Sequence, residues 1–137
     1  MRTANACNKV LVVDDDDDLR STIVDLLRAR GYEVEAADNG AAALERIRDH
    51  GMPGTILLDM RMPVMNGWEF ARIFHERHNR RAAIVVITAA ADAHRFAREV
   101  DADGWLSKPF DDAELFAAIE ARAGERRADA REVHGGS

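Results

Sequence analysis

Short, continuous apolar runs limit the folds that this chain of 137 residues can adopt. Three of them, rich in Val, Ile and Leu, are Lys9–Val13, Gly54–Leu58 and Ala82–Thr88. Runs of this length without polar alternation predict strands that are buried on both faces. Tyr32–Ala36 alternates instead, which predicts a strand at an edge of the sheet, and Gly104–Ser107 is a weaker fifth run.

Helical patterns lie between these runs. Apolar residues recur with helical spacing at Leu19, Ile23, Leu26 and Leu27, at Leu44 and Ile47, at Phe70, Ile73 and Phe74, at Phe96 and Val100, and at Leu115 and Ile119. Gly31 occupies a C-terminal cap position, and Asp111 with Glu114 predicts an acidic capping box. Five strands alternating with five helices predict an α/β fold, a flavodoxin-like (βα)₅ doubly wound parallel sheet with strand order 2-1-3-4-5.

The chain is expected to form one domain. Its composition, 47% hydrophobic and 32% charged, suits a globular core. We predict an N-terminal extension over residues 1–8, a folded domain over 9–122, and a polar C-terminal tail over 123–137, where apolar periodicity is lost. No output domain is visible, and Met1 favours a stand-alone protein over a piece of a longer one.

Charge and cysteine content restrict the expected partners and location. The formal net charge of −6 repels nucleic-acid phosphates, so we predict no direct nucleic-acid binding. Cys7 is the only cysteine, which excludes an internal disulfide, and no apolar run is long enough for a membrane span. A cytoplasmic location without membrane contact is the expectation.

Polar residues follow the predicted strands where a parallel sheet binds ligands. The first strand ends in Asp14 and Asp15, the third in Asp59 and the fourth in Thr88, and Lys108 follows the fifth. Clustered carboxylates repel one another unless a cation relieves them, and hard oxygen ligands suit Mg²⁺. Asp59 is central enough to be a nucleophile toward a phosphoryl group. Taken singly, Asp59, Thr88 and Lys108 are better explained as ordinary loop, strand-end and surface residues. Their joint placement at successive strand ends is what favours a site.

The order and spacing of these motifs carry a family resemblance. VLVVDD at Val10–Asp15, LLDMRMPVMNG at Leu57–Gly67, VITAA around Thr88 and LSKPF around Lys108 form a four-part pattern. From Lys9 to Ala121 the chain resembles the receiver domains of bacterial two-component response regulators, particularly the single-domain, chemotaxis-regulator-like kind.

The resemblance implies a phosphoacceptor site with magnesium. Asp59 would accept a phosphoryl group, and Mg²⁺ would be held by Asp15, Asp59 and the backbone carbonyl of Arg61, with Asp14 assisting through water. Such a domain is not an enzyme with a separate substrate, although it catalyses its own phosphotransfer and dephosphorylation.

The resemblance also implies a switch. Thr88 and Lys108 would contact the phosphoryl oxygens, with a cis peptide before Pro109 holding Lys108 toward the site. Thr88 would move toward the phosphoryl group, and Trp105 would turn inward to fill the vacated space. Indole is bulkier than the tyrosine or phenylalanine more familiar there, so Trp105 could instead remain outside as an anchor for a partner.

The implied partners are proteins. The phosphoryl donor would be a sensor histidine kinase or a histidine phosphotransfer protein. The signal would pass to a downstream effector through the last two helices and the strand between them, near His94, Arg95, Arg98 and Trp105. The protein is expected to be a monomer or weak dimer.

Arg61 and Ala90 resemble the variable pair of positions that tunes dephosphorylation in this family. An arginine at position 61 could obstruct attacking water or pair with phosphate. A solvated loop cation explains Arg61 as well.

Two other functional classes use similar features. A haloacid-dehalogenase-type phosphohydrolase fits Asp14 and Asp16, but Asp18 stands where Thr or Val is required, and no late acidic pair follows. A flavodoxin-like carrier needs a Ser/Thr/Gly-rich phosphate loop, which Asp14–Asp18 replaces with repelling charge. The binding module could also be a receiver that works without phosphate, although such receivers usually lack part of the acidic set, which this chain retains in full.

Overall fold

A computed structural model describes residues 8–79 and 81–121 of the chain. Five parallel strands form one sheet in the order β2-β1-β3-β4-β5, as the sequence predicts. The elements are β1 Lys9–Val13, α1 Asp17–Ala29, β2 Glu33–Ala37, α2 Gly40–His50, β3 Thr55–Asp59, α3 Gly67–His78, β4 Ala83–Ala89, α4 Ala90–Glu99 and β5 Gly104–Lys108. Residues 112–121 are helical and are called α5.

The two faces of the sheet carry separate hydrophobic cores. One core packs α2, α3 and α4 against the sheet, with the aromatic side chains of Phe70, Phe74 and Phe96. The other packs α1 and α5 on the opposite face, through residues such as Ile23 and Leu115. Every residue of β1 and β3 is buried, as the uninterrupted apolar runs predict.

The predicted strand limits are correct to within one residue. The second strand begins at Glu33 rather than Tyr32, because the Tyr32 N–H donates to the Leu27 carbonyl at the end of α1. The fourth strand extends through Ala89, and Ala90 begins α4 with no residue between them. Helix α4 has no side-chain hydrogen bond at its N-cap, where Ala89 stands.

The ends of the helices carry glycine and capping-box signals, most of which the sequence predicts. Gly31 follows the α1 C-cap with φ 94°, a left-handed conformation that glycine adopts readily. The predicted capping box is confirmed, since the Asp111 side chain accepts from the Glu114 N–H at 2.8 Å and Glu114 accepts from the Asp111 N–H at 2.9 Å. A second capping box, Asn66 with Glu69 at the start of α3, was not predicted.

Part of the predicted domain organisation concerns residues that the structure does not describe. Residues 1–7, including Cys7, and the whole predicted tail with its boundary lie outside the described residues. The limits of the extension, domain and tail therefore stay predictions. Of the helices in the described ranges, none is long and apolar enough to cross a membrane.

Candidate phosphoacceptor site

The carboxyl ends of four neighbouring strands supply the polar residues of the site. Asp14 directly follows β1, while Asp59 and Lys108 are the last residues of β3 and β5. In β4, Ile87 pairs with Asp59, which places Thr88 one residue farther toward this edge. Thr88 in turn pairs with Ser107 of β5. The parallel register therefore gathers at one edge the residues that lie far apart in sequence.

Three carboxylates form a compact cluster there. One oxygen from each of Asp14, Asp15 and Asp59 lies within 4.8 Å of the others. The Asp14 side chain is fully buried, and its Oδ1 accepts the Asp16 N–H at 2.9 Å. Its Oδ2 is buried without a hydrogen-bond partner among the described residues. An oxygen-only donor set with a buried, incompletely satisfied carboxylate fits a hard divalent cation such as Mg²⁺.

Burial and mutual repulsion shift the proton affinity of the cluster. Burial, followed by the charge of Asp14, raises the pKa of Asp59 to about 7, although Lys108 opposes this shift. Burial also raises the pKa of Asp14, against the lowering effects of the Asp16 N–H and Lys108. The cluster thus holds more negative charge than its surroundings neutralise, which is the condition that a bound cation relieves.

Lys108 is the cation that faces the cluster. Its Nζ lies 3.8 Å from Asp14 Oδ2 and 3.8 Å from Asp59 Oδ1. The Lys108–Pro109 peptide is cis, as the resemblance implied. Arg20, which the sequence did not mark as a site residue, also stabilises this edge of the sheet. Its Nη1 donates to the Asp14 carbonyl at 2.7 Å.

The loop from Asp59 to α3 is closed by tight backbone contacts. The Gly67 N–H donates to the Met60 carbonyl at 2.9 Å, and a Cβ at position 67 would lie 2.8 Å from the Asp59 carbonyl oxygen. Only glycine permits this approach without displacing the backbone next to Asp59. Val64, at the tip of the loop, has φ 69° and an 82% exposed side chain, an unusual conformation for a β-branched residue.

The Arg61 side chain lies against aromatic rings, which sequence reasoning missed. Its Cζ is 5.7 Å from the centroid of the Trp68 ring and 5.3 Å from that of Phe96. Trp68 is the second residue of α3 and Phe96 belongs to α4, so only the packing of these two helices brings the rings together. A tryptophan within ten residues of Asp59 was the only available signal.

The residues predicted to switch lie on β4 and β5. Thr88 is 8% exposed at the end of β4. Trp105 is 47% exposed, and its ring centroid is 4.7 Å from that of His94 on α4. The indole therefore lies outside the core in this structure. Ala90, the second of the paired positions, is exposed at the start of α4.

Known proteins similar to this chain include bacterial response regulators. The Haemophilus influenzae homologue of the transcriptional regulatory protein CpxR is 37% identical over 116 residues, which are 83% of this chain and 49% of that protein. The chain thus spans about half the length of the curated relatives it matches.

Two solved structures are similar over nearly their whole length. The Vibrio cholerae chemotaxis response regulator CheY4 is 32% identical with a TM-score of 0.75, covering 83% of this chain and 97% of that one. The receiver domain of a Pseudomonas aeruginosa sensor histidine kinase is 29% identical with a TM-score of 0.77, covering 85% and 98%. That domain was solved with a magnesium ion coordinated in its active-site cleft. Residues 10–120 of the present chain match the family described as the response regulator receiver domain, and the chain belongs to that family.

Proposed function

We propose that Asp59 accepts a phosphoryl group from the phosphohistidine of a sensor histidine kinase or a histidine phosphotransfer protein. The observation that carries this proposal is the position of Asp59, which has oxygens of Asp14 and Asp15 within 4.8 Å and the Lys108 Nζ at 3.8 Å. A carboxylate placed beside cationic groups is suited to attack phosphorus, because the transferring oxygens develop charge that those groups neutralise.

The reaction needs little from the protein beyond placement and charge. A carboxylate oxygen of Asp59 forms a bond to phosphorus, the phosphorus–nitrogen bond of the donor breaks, and its electron pair returns to the imidazole. Lys108 neutralises charge on the transferring oxygens, and Thr88 donates a hydrogen bond to one of them. With its pKa raised to about 7, Asp59 is in its nucleophilic, deprotonated form in a large share of molecules at neutral pH.

The carboxylate cluster is the proposed magnesium site. Asp15, Asp59 and the backbone carbonyl of Arg61 would hold Mg²⁺ directly, and Asp14 would act through water. A cation bound there supplies Lewis-acid neutralisation of the phosphoryl oxygens. Asp14, which is fully buried and ion-paired with Lys108, keeps the cluster and the lysine together.

The phosphorylated domain would signal by a shift between two pre-existing surface arrangements. In this proposal Thr88 and Trp105 are the switching residues, and a protein effector binds the face made by α4, β5 and α5. The domain also removes its own phosphoryl group, acts on no separate substrate, and works in the cytoplasm as a monomer or weak dimer. The receiver itself makes no contact with nucleic acid, whatever the curated relatives do with the other half of their length.

Intact mass after incubation with Mg²⁺ and acetyl phosphate tests the acceptor. We expect one phosphoryl adduct in the native chain, none in Asp59→Asn and none in the presence of a chelator. Asp25→Asn, which removes an exposed carboxylate of α1, should give the native result. An adduct that survives in Asp59→Asn would refute the site. A folded native chain that gives no adduct with acetyl phosphate or a histidine kinase would favour a phosphate-independent receiver.

A further inference from the structure

The Arg61 guanidinium contacts two aromatic rings instead of a carboxylate. Its Cζ lies 5.7 Å from the Trp68 centroid and 5.3 Å from the Phe96 centroid, within the range of cation–π attraction. Within residues 8–79 and 81–121, no carboxylate oxygen lies close enough to Arg61 to form an ion pair. Arg95, which also lies over Phe96 at 4.9 Å, pairs with Asp92 at 2.7 Å. Among the described residues, Arg61 therefore differs from Arg95 in having no carboxylate partner.

The aromatic pair is held in place by contacts between α3 and α4. The Trp68 and Phe96 rings meet edge to face with centroids 4.8 Å apart. Trp68 Nε1 donates to Glu99 Oε1 at 2.9 Å, and Phe96 is almost completely buried. Because the rings are fixed from both helices, they offer Arg61 a preformed surface.

Arg61 follows Asp59 by two residues, so a phosphoryl group on Asp59 would compete for the same guanidinium. The planar fork of arginine binds phosphate oxygens bidentately, whereas the cation–π attraction of an exposed guanidinium such as that of Arg61 is weak. The Asp59 side chain is only 10% exposed, which leaves a narrow opening to the carboxylate. A guanidinium bound to the phosphoryl oxygens would fill part of this opening and obstruct attacking water.

We propose that Trp68, together with Phe96, is a positioning residue that retains the Arg61 guanidinium beside α4 and thereby keeps the aspartyl phosphate open to hydrolysis. This inference rests on the proposed function, since it concerns the lifetime of the group that Asp59 carries. Removal of the indole leaves only the Phe96 ring beside Arg61. The guanidinium is then held less strongly and binds the phosphoryl oxygens in a larger share of molecules. The strength typical of an exposed cation–π contact corresponds to a change of about two- to fivefold in such a population.

The test measures the rate at which the phosphoryl adduct is lost after acetyl phosphate is removed, by intact mass of quenched samples. Trp68→Leu keeps apolar volume against Phe96 but removes the π face, whereas Trp68→Phe keeps a ring and loses only the bond to Glu99. Both are measured with Arg61 and with Arg61→Ala. Trp68→Met replaces Trp68→Leu if the latter does not fold.

We expect Trp68→Leu to slow adduct loss about two- to fivefold when Arg61 is present and to leave the rate unchanged in Arg61→Ala. Trp68→Phe should remain near the native rate. Arg72→Ala, the control, removes an exposed cation of α3 that pairs with Glu76 and should leave the rate of adduct loss unchanged.

Other results would overturn the inference. If Trp68→Leu changes the rate of adduct loss equally with Arg61 and with Arg61→Ala, Trp68 acts only on structure. If the rate in Trp68→Leu is unchanged or faster, Arg61 does not obstruct hydrolysis of the phosphoryl group. In either case an adduct on Asp59 would leave the proposed function standing. If the folded native chain forms no adduct, the proposed function and this inference fail together.

Discussion

At the scale of single residues, the ionised Asp59 carboxylate lowers the stability of the folded protein at the site where it acts. Its pKa is raised to about 7, first by burial and then by the charge of Asp14. The folded protein therefore binds a proton at this residue between about pH 4 and pH 7 that the unfolded chain releases. Stability contributed by that proton is present at low pH and is lost as the pH rises through about 7.

Asp59→Asn should consequently stabilise the protein in a pH-dependent manner. In the absence of divalent cations, we expect its unfolding free energy at pH 8 to exceed the native value by about 1–3 kcal/mol, less than the full shift because the cluster relaxes. The difference should shrink toward zero near pH 4. Urea unfolding of both proteins across this range measures it.

Asp25→Asn is the control for general charge removal, because Asp25 is exposed on α1. It should change the unfolding free energy little at any of these pH values. Equal stability of Asp59→Asn and the native chain at pH 8 would contradict the electrostatic cost assigned to Asp59.

The sequence predicted that the acidic residues lie together, but it did not predict which side chains surround Arg61. Asp14, Asp59 and Lys108 could be placed because strand ends in a parallel sheet meet at one edge, whatever the side chains between them. The contact of Arg61 with Trp68 depends on how two helices pack, and no spacing in the sequence encodes that distance. The positive φ of Val64 was likewise unpredictable, since β-branched residues disfavour it.

At the scale of elements, the start of α3 links helix stability to the phosphoacceptor loop. Asn66 accepts the Glu69 N–H at 2.9 Å, and Glu69 Oε1 accepts the Asn66 N–H at 3.2 Å. These two bonds satisfy donors that the first turn of a helix otherwise leaves unpaired. They also fix the residue just before Gly67, whose N–H closes the loop onto Met60.

Asn66→Ala should lower the unfolding free energy by about 1 kcal/mol, because it removes the side-chain cap. Asn66→Asp keeps an acceptor at the same position and should retain most of the native stability. Chemical denaturation of the three proteins at one pH compares them directly. A loss of the same size in Asn66→Asp would show that the cap is not the source of the effect.

The elements themselves were predictable because their patterns are strong. Uninterrupted apolar runs identified β1, β3 and β4, and the alternating run identified β2 as an outer strand. The box at Asp111 was recognised because acidic residues at both positions precede an apolar repeat. The similar capping box at Asn66 is harder to recognise, because Asn66 also belongs to the LLDMRMPVMNG motif that contains Asp59.

At the scale of the whole molecule, the chain places its charge where it opposes folding. Two hydrophobic cores cover the sheet, while three carboxylates of a chain with net charge −6 meet at one edge. Binding of a cation at this edge would stabilise the folded state only, because the unfolded chain does not assemble the cluster.

Mg²⁺ should therefore raise the unfolding free energy, by about 2.7 kcal/mol at a concentration 100 times its dissociation constant. The gain should be larger at pH 8 than at pH 5.5, since the ion must displace protons from Asp59 and from Asp14, whose pKa values are both raised. Thermal or urea unfolding with and without MgCl₂ provides the measurement.

NaCl at matched ionic strength separates binding from screening. We expect it to reproduce little of the gain, and Asp15→Asn to reduce the response to Mg²⁺. If NaCl stabilised the protein as much as MgCl₂ at pH 8, the cluster would be responding to ionic strength rather than holding a cation.

The direct passage from β4 to α4 has a consequence for how this sequence can vary. Every other connection between elements of the described fold contains at least two residues, whereas Ala90 follows Ala89 with none between. Connections with loop residues tolerate insertions and deletions. A length change at this junction would instead rotate α4 about its own axis, by about 100° per residue, relative to Thr88. Homologous chains should therefore differ in length elsewhere and keep this joint constant.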